Sequence, residues 1–137
     1  DDIFTATNRA KILLNEWKGV KVPLQLADRN LAERFRGACD KIFELSYLMK
    51  VVHRKHPTYN FLSESQQLVI KYREMEYIVR RARADLEQLV DSYKGVYQKP
   101  NTEMDKIMEN NLRTQKRKLL MKEVILEELR QRSAKYL

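Results

Sequence analysis

The chain of 137 residues is long enough for one domain that buries its own core without disulfides or metals. Only 3 Gly and 3 Pro accompany 43% hydrophobic and 34% charged residues, a composition that argues against turn-rich β folds and favours long helices. Because 27 Lys and Arg exceed 19 Asp and Glu, the net charge is +8, which favours polyanions as partners.

The first predicted helix spans residues 7–18, with Thr5 or Thr7 as the N-cap. Four apolar side chains share one of its faces by their spacing: Ala10, Leu13, Leu14 and Trp17. Gly19 is the expected end of this helix. Beyond it, Pro23 indicates an extended link or an early turn of the next helix.

The second helix is predicted from Asp28, as the N-cap, to His56. Its apolar residues alternate at spacings of four and three, which is a heptad seam. The seam consists of Leu31, Phe35, Ala38, Ile42, Leu45, Met49 and Val52. Pro57 is expected to end the helix, because proline disfavours the helical conformation in the residue before it. The turn that follows leaves Tyr59 and Phe61 to cover the end of a bundle.

The third helix is predicted to begin after Ser63, which has the spacing of a capping box with Gln66, and to end at Gly95. Its seam is the most regular in the chain: Leu68, Tyr72, Met75, Val79, Ala82, Leu86, Leu89 and Tyr93. Since neighbouring segments carry such seams, the second and third helices are predicted to form an antiparallel hairpin. Each helix would be about 40 Å long at about 1.5 Å per residue.

The fourth helix is predicted to begin near Thr102, after Pro100 and with Asp105 in an acidic first turn. Its apolar stripe consists of Met108, Leu112, Leu119, Leu126 and Leu129. Gln115 and Lys122 interrupt the stripe, which leaves two arrangements open. The helix either packs along the hairpin, which is the preferred interpretation, or projects one end that pairs with another chain.

These patterns together predict an all-α fold, an elongated antiparallel bundle of three to four helices with a long heptad-spaced helical hairpin. We expect one domain over residues 1–137, either as a whole protein or as a fragment of a larger one. No apolar run approaches the roughly 18 residues of a membrane-spanning helix, so no membrane span is predicted.

The sequence contains no recognisable catalytic or metal-binding constellation. His53 and His56 are three residues apart, but no cysteine or acidic residue completes a metal site, and Arg54 and Lys55 would repel a cation. Cys39 flanks the seam, where a packed small residue is favoured over a reactive thiol because no base can be placed beside it. A lone cysteine also forms no intrachain disulfide and fits a cytoplasmic protein. We therefore expect no enzyme, no cofactor and no metal.

Clusters of basic residues are the strongest functional signal. The candidates for nucleic-acid binding are Arg54, Lys55, Arg80, Arg81, Arg83, Arg113, Lys116, Arg117, Lys118 and Lys122. Phosphate contacts spread along a bundle face would give binding that weakens steeply with salt. The alternative explanation is a solvated helix surface whose charges pair at i and i+4, as Glu76 would with Arg80.

Base stacking on such a surface would require exposed aromatic rings. Tyr72 and Tyr93 lie on the predicted seam of the third helix. Tyr47, Tyr77 and Tyr97 fall outside the seams and are the tyrosines that could be exposed.

The segment EWKGVKVPLQLADRNLAERFRGACDKIF, residues 16–43, combines several rare residues in a distinctive order. The residues that form the pattern are Glu16, Trp17, Lys18, Gly19, Val22, Pro23, Leu31, Glu33, Arg34, Phe35, Arg36, Ala38, Cys39, Asp40 and Phe43. This pattern resembles a bacterial family of helical repeats known as domain of unknown function 349. It departs from that family where the glycine lies nearer the tryptophan and where Ala32 replaces an aromatic residue. The resemblance implies an all-helical intracellular bacterial module with no assigned catalytic residues.

The basic clusters predict a non-enzymatic helical interaction module that binds nucleic acid or a ribonucleoprotein. The alternative is a protein–protein scaffold or a self-associating module, in which the helical seams, above all that of the fourth helix, contact a protein partner or a second copy.

Overall fold

The computed structural model describes residues 2–18, 26–96 and 102–137. Its elements are α1 (Asp2–Lys18), α2 (Leu26–Lys55), a 3₁₀ helix (Tyr59–Phe61), α3 (Glu64–Val96), α4 (Thr102–Ser133) and a final 3₁₀ helix (Ala134–Tyr136). No strand occurs within these described ranges, so the predicted all-α bundle is confirmed. In the same ranges, no helix combines the length and the apolar character that crossing a bilayer requires.

The chain divides into two compact units, Asp1–Leu62 and Ser63–Leu137. The first unit contains α1, α2 and the 3₁₀ helix that follows α2. The second contains α3, α4 and the final 3₁₀ helix. That residues 1–137 act as one domain stays a prediction.

In the first unit, α1 and α2 form an antiparallel pair. Near one end, the ring of Phe4 lies 6.5 Å from that of His53, measured between centroids. At the other end, Trp17 lies 5.1 Å from Phe35. The early part of α1 therefore meets the late part of α2, and aromatic contacts hold both ends of the pair.

In the second unit, α3 and α4 form a long antiparallel hairpin. Asn111 Nδ2 donates a hydrogen bond to Tyr93 Oη at 2.6 Å, and Arg83 Nε lies 3.5 Å from Glu123 Oε1. Residue numbers fall along one helix as they rise along the other, so the two run in opposite directions. With 33 and 32 residues, each is about 50 Å long at about 1.5 Å per residue.

The heptad-spaced hairpin of the structure is thus built from the third and fourth helices. Of the two arrangements left open for the fourth helix, packing along the third is the one observed. The predicted pairing of the second helix with the third would join the two units, and it stays a prediction.

The core of the second unit follows the predicted seams. Its buried apolar residues are Leu68, Met75, Ile78 and Val79 on α3, with Met108, Ile125 and Leu129 on α4, and all of these except Ile78 and Ile125 belong to the predicted seams. Met75 and Val79 expose none of their surface. The periodicity of α3 therefore identified the face that the structure buries.

Burial on α2 does not follow its predicted seam, because Leu48 and Val51, which lie outside the seam, are also buried. Leu31 is 54% exposed and Ala38 is exposed, so their predicted burial is wrong, while Cys39 and Ser46 are buried. Of the seven predicted seam residues, Val52 alone is fully buried.

Small residues account for the part of this difference on the side of α2 that contacts α1. Phe35 and His53 contact α1, and Cys39 and Ser46 lie between them at spacings of four, seven and seven, on the same side of α2. Small side chains allow two helices to approach closely. Because Cys39 and Ser46 are neither large nor strongly apolar, a pattern of apolar residues does not reveal this face.

Two predicted helix starts are wrong. The first helix begins at Asp2, and Thr7 lies inside it, where its hydroxyl donates to the Ile3 carbonyl at 2.7 Å rather than capping the helix. The second helix begins at Leu26, two residues before the expected cap at Asp28. The other predicted breaks, Gly19, Pro23 and Pro100, lie outside the described residues.

The other predicted boundaries agree with the structure to within one residue. The last residue of α2 is Lys55, before His56 and Pro57. The capping box of α3 is formed, since Gln66 N donates to Ser63 Oγ at 3.3 Å and Ser63 N donates to Gln66 Oε1 at 3.1 Å. α3 ends one residue past the predicted Gly95, and α4 begins at the predicted residue.

In the turn after α2, only one of the two aromatic residues is covered. Tyr59 is buried and its ring lies 5.5 Å from that of His53. Phe61 is 87% exposed, so its expected covering role is wrong.

Replacement of Met75 by alanine should lower the free energy of unfolding by about 2–5 kcal/mol, because it leaves a cavity in the hairpin core. Leu120→Ala on α4 is the matched control, since Leu120 is 62% exposed and its loss should change stability by less than about 0.5 kcal/mol. Urea denaturation followed by circular dichroism measures both. Equal destabilisation by the two variants would contradict the assigned core.

Candidate nucleic-acid interface

The ten predicted contact residues are divided between the two units. Arg54 and Lys55 are exposed at the end of α2. The other eight belong to the second unit, three on α3 and five on α4. Arg117 and Lys122 are half-buried, and the remaining six of these eight are exposed. The structure therefore leaves most of the predicted cations accessible to a partner.

The register of the hairpin places the arginines at 80–83 of α3 near Lys122 and Glu123 of α4, and it places the basic residues at 113–118 of α4 beside residues 87–92 of α3. Given the contacts made by Arg83 and Tyr93, residues 80–91 of α3 lie beside residues 113–124 of α4. We call these two ranges the basic band, which is about 17 Å long at about 1.5 Å per residue. It contains eight Lys or Arg and four Asp or Glu, a net charge of +4.

This band accounts for the entire positive excess of the second unit. Residues 63–137 contain 16 Lys or Arg and 12 Asp or Glu, which is also a net charge of +4. The rest of the second unit is therefore neutral overall. The band is where its field would attract an anionic partner.

The arginines of α3 point in different directions. Each residue turns the helix by about 100° at 3.6 residues per turn, so Arg80, Arg81 and Arg83 cannot share one face. Arg83 lies on the flank beside α4, where it approaches Glu123. Both side chains of that ion pair remain substantially exposed, so the pair is worth less than about 1 kcal/mol.

The alternative explanation predicts an ion pair between Glu76 and Arg80 on a solvated helix surface. That pair is not formed. Glu76 Oε2 instead accepts a hydrogen bond from Tyr72 Oη at 3.2 Å. Within the described ranges, no carboxylate lies within 4.0 Å of the guanidinium groups of Arg80, Arg81 or Arg113. The positive charges of these three arginines are therefore accessible to an anionic partner.

Outside the band, Arg130 of α4 forms an ion pair with a carboxylate of its own helix. Arg130 Nε donates to Glu127 Oε2 at 2.8 Å, one turn apart on the helix. The hydrogen bonds from Arg130 lower the pKa of the Glu127 carboxyl. Arg130 is therefore paired, as Arg83 is within the band, whereas Arg80 and Arg113 have no carboxylate within 4.0 Å among the described residues.

The tyrosines divide as predicted. Tyr72 and Tyr93 are half-buried, and the hydroxyl of each is hydrogen-bonded within the second unit. Tyr47 and Tyr77 expose 51% and 47% of their surfaces, which confirms the expectation for both. Tyr97 lies outside the described residues.

Sequence reasoning missed Arg73. It is exposed and lies four residues before Tyr77, so the two are neighbours on the surface of α3. Arg73, Tyr77 and Arg80 are thus spaced by four and three residues. The buried seam of α3 has the same spacing, but these three residues lie on the outer side of the helix. That spacing was the signal that could have identified Arg73.

The first unit contains a small open cavity of about 160 Å³ between α1 and α2. It is lined by Leu14, Trp17, Ala32, Glu33, Phe35 and Arg36. Ligand pockets commonly measure about 300–1,000 Å³, so this cavity is too small for a cofactor.

Cys39 and His53 are both packed within the first unit. Burial raises the pKa of the Cys39 thiol, Asp40 raises it further, and Arg36 opposes this shift. The ring of His53 is packed against aromatic rings of the first unit. Among the described residues, no group of three or more His, Cys, Asp or Glu is arranged to hold a metal ion.

Comparison with known proteins does not assign the chain to a family. No family model matches it, and no curated protein or solved structure matches it at a significant level. What the basic band binds must therefore follow from its own charges and exposed rings.

The Cys39 thiol should react with Ellman's reagent far more slowly in the native protein than in urea, because the side chain is 3% exposed and a raised pKa reduces the reactive thiolate. A Ser92→Cys variant made in a Cys39→Ser background provides an exposed thiol as the control. A native Cys39 that reacts as fast as that control would contradict its packed role.

Proposed function

We propose that the chain is a non-enzymatic helical interaction module that binds nucleic acid or a ribonucleoprotein through the basic band. The observation that carries this proposal is that all of the net positive charge of the second unit falls within residues 80–91 and 113–124. A polyphosphate chain is the partner that best matches several cations distributed over a length of about 17 Å.

The accessibility of the cations supports the proposal. Guanidinium groups bind phosphate oxygens in pairs of hydrogen bonds, and those of Arg80, Arg81 and Arg113 have no described carboxylate to compete. Arg54 and Lys55 at the end of α2 add exposed positive charge in the first unit. Since the arginines of α3 point in different directions, we expect contacts mainly with phosphates, without readout of sequence.

We also propose two broader features of the protein. One is the relationship to the domain of unknown function 349, which rests on residues 16–43. The contact between Trp17 and Phe35, both part of that pattern, supports its treatment as a packing motif. The other is a cytoplasmic location, which the single buried cysteine favours.

The double variant Arg80→Gln/Arg113→Gln should weaken binding of a fluorescein-labelled 20-nucleotide RNA or DNA, measured by anisotropy at several salt concentrations between 50 and 200 mM. Removing two phosphate contacts should also reduce the slope of log affinity against log salt by about 2. The matched control is Arg130→Gln/Arg132→Gln, which removes the same charge outside the band.

The comparison of these two variants separates a site from general charge. Retention of most affinity by the control supports the basic band. An equal loss in both variants would show that only net charge matters, and no salt-sensitive binding by the unaltered protein would refute the proposed function.

Self-association through α4 is the second candidate, and one observation favours it. Leu120 and Val124 are 62% and 40% exposed and lie one turn apart on the outside of α4. Exposed apolar side chains in adjacent turns are typical of helix-to-helix contacts.

If α4 self-associates, light scattering after size exclusion should show a mass above 16.4 kDa that rises with concentration. Leu120→Gln/Val124→Gln should return the mass to that of one chain, because it removes the apolar contact. Met104→Gln/Ile107→Gln, also on exposed residues of α4, is the control. A mass of one chain at every concentration would refute this candidate.

A further inference from the structure

An exposed tyrosine on α3 lies between arginines. Tyr77 is 47% exposed and lies on the opposite side of the helix from the fully buried Met75 and Val79. Arg73 lies one turn before it, and Arg80 lies one turn after it, and both are exposed. The three side chains therefore form one continuous stripe on the outer surface of the hairpin.

The chemistry of this stripe differs from that of a plain basic surface. A phenol ring on an exposed helix presents a flat face on which a nucleobase can stack. The guanidinium groups on either side are suited to phosphate oxygens. Their α-carbons are seven residues apart, about 10 Å along the helix at about 1.5 Å per residue. The stripe thus offers one stacking position with an anion-binding group on each side.

We propose that Arg73, Tyr77 and Arg80 form a binding site for a single-stranded polynucleotide, with one base stacked on Tyr77 and the adjoining phosphates on the two arginines. The inference rests on the proposed function and deepens it, because it names the form of nucleic acid that is bound. Arg80 belongs to the basic band, and Arg73 and Tyr77 extend the site beyond it along α3. Arg81, one turn after Tyr77 on its other side, is a further phosphate ligand.

A duplex does not fit this stripe equally well. In a double helix the faces of the bases are covered by their neighbours, and only base edges and phosphates are accessible. A tyrosine on the convex surface of a helix has no wedge-shaped surroundings to unstack base pairs. Unpaired bases, by contrast, can be covered by an aromatic ring whatever their sequence.

The local acids do not remove the positive charge of the stripe. Glu76 accepts its hydrogen bond from Tyr72, toward the seam side of α3. Glu74, one turn before Tyr77, is half-buried, and its single negative charge is outnumbered by the exposed arginines Arg73, Arg80 and Arg81. Two exposed arginines thus remain beside the ring of Tyr77.

A similar stripe recurs in the first unit. Tyr47 is 51% exposed, and the exposed residues Lys50 and Arg54 follow it at three and seven positions along α2. Each unit therefore places one accessible tyrosine next to basic residues on its longest helix.

The test measures anisotropy of labelled 15-nucleotide single strands, one of uridine RNA and one of thymidine DNA, and of a DNA duplex of the same length. Tyr77→Leu should weaken single-strand binding at least about fivefold while leaving duplex binding and the salt slope unchanged. Tyr77→Phe, which keeps the ring, should bind as the unaltered protein does. Arg73→Gln should lower the salt slope by about 1 for single strands.

Tyr136→Leu is the matched control, because Tyr136 is 44% exposed and has Lys135 Nζ 5.0 Å from its ring centroid. Loss of single-strand affinity in Tyr77→Leu alone supports the site, and the RNA and DNA arms identify the polymer. Binding that is equal for single strands and duplex and insensitive to Tyr77→Leu overturns this inference but leaves the proposed function intact. Absence of binding to all three probes overturns both.

Discussion

The register of the α3–α4 hairpin is the constraint on which the candidate interface depends. The hydrogen bond from Asn111 to Tyr93 and the ion pair of Arg83 with Glu123 hold side by side residues that are far apart in the sequence. A slip of one residue would turn every side chain of one helix by about 100° and would break both contacts. Apolar burial supplies most of the stability, but these polar contacts can be satisfied in only one alignment.

That register concentrates positive charge. It places the three arginines at 80–83 and the five basic residues at 113–122 within a length of about 17 Å, with Asp85, Glu87 and Asp91 on the same stretch of α3, and like charges at such distances repel. Elsewhere in the same unit, the charged form of one lysine is disfavoured, mainly by burial. Burial lowers the pKa of Lys71, the nearby Arg132 lowers it further, and Glu64 opposes both effects. An anionic partner that binds only the folded hairpin would relieve such repulsion and stabilise the fold.

The two units differ in how well the periodicity of apolar residues predicts which helix face is buried. On α3, large apolar residues at heptad spacing mark the buried face, and Met75 and Val79 are fully buried as their positions predict. On α2, the face toward α1 is built from Cys39 and Ser46, which carry no strong apolar signal. The predicted seam, of which Phe35 contacts α1, therefore identified this face only in part.

The candidate site was predictable in its parts but not in its arrangement. The basic residues and the exposed tyrosines were recognised from their type and from their positions outside the seams. Arg73 was missed because it belongs to no basic cluster in the sequence. Its significance depends on its lying one turn from Tyr77 on an outer face, beside a ring that the structure leaves exposed.

By itself, the sequence determined the helical class, the limit of α2 before Pro57, the capping box at Ser63 and the excess of positive charge, because each of these follows from local residue chemistry. Only the tertiary structure decided that the fourth helix packs along the third, and hence which basic residues lie together. The reason is that hydrophobic burial has no direction. A heptad seam shows which face of a helix is buried, but several seams of the same spacing are interchangeable as partners.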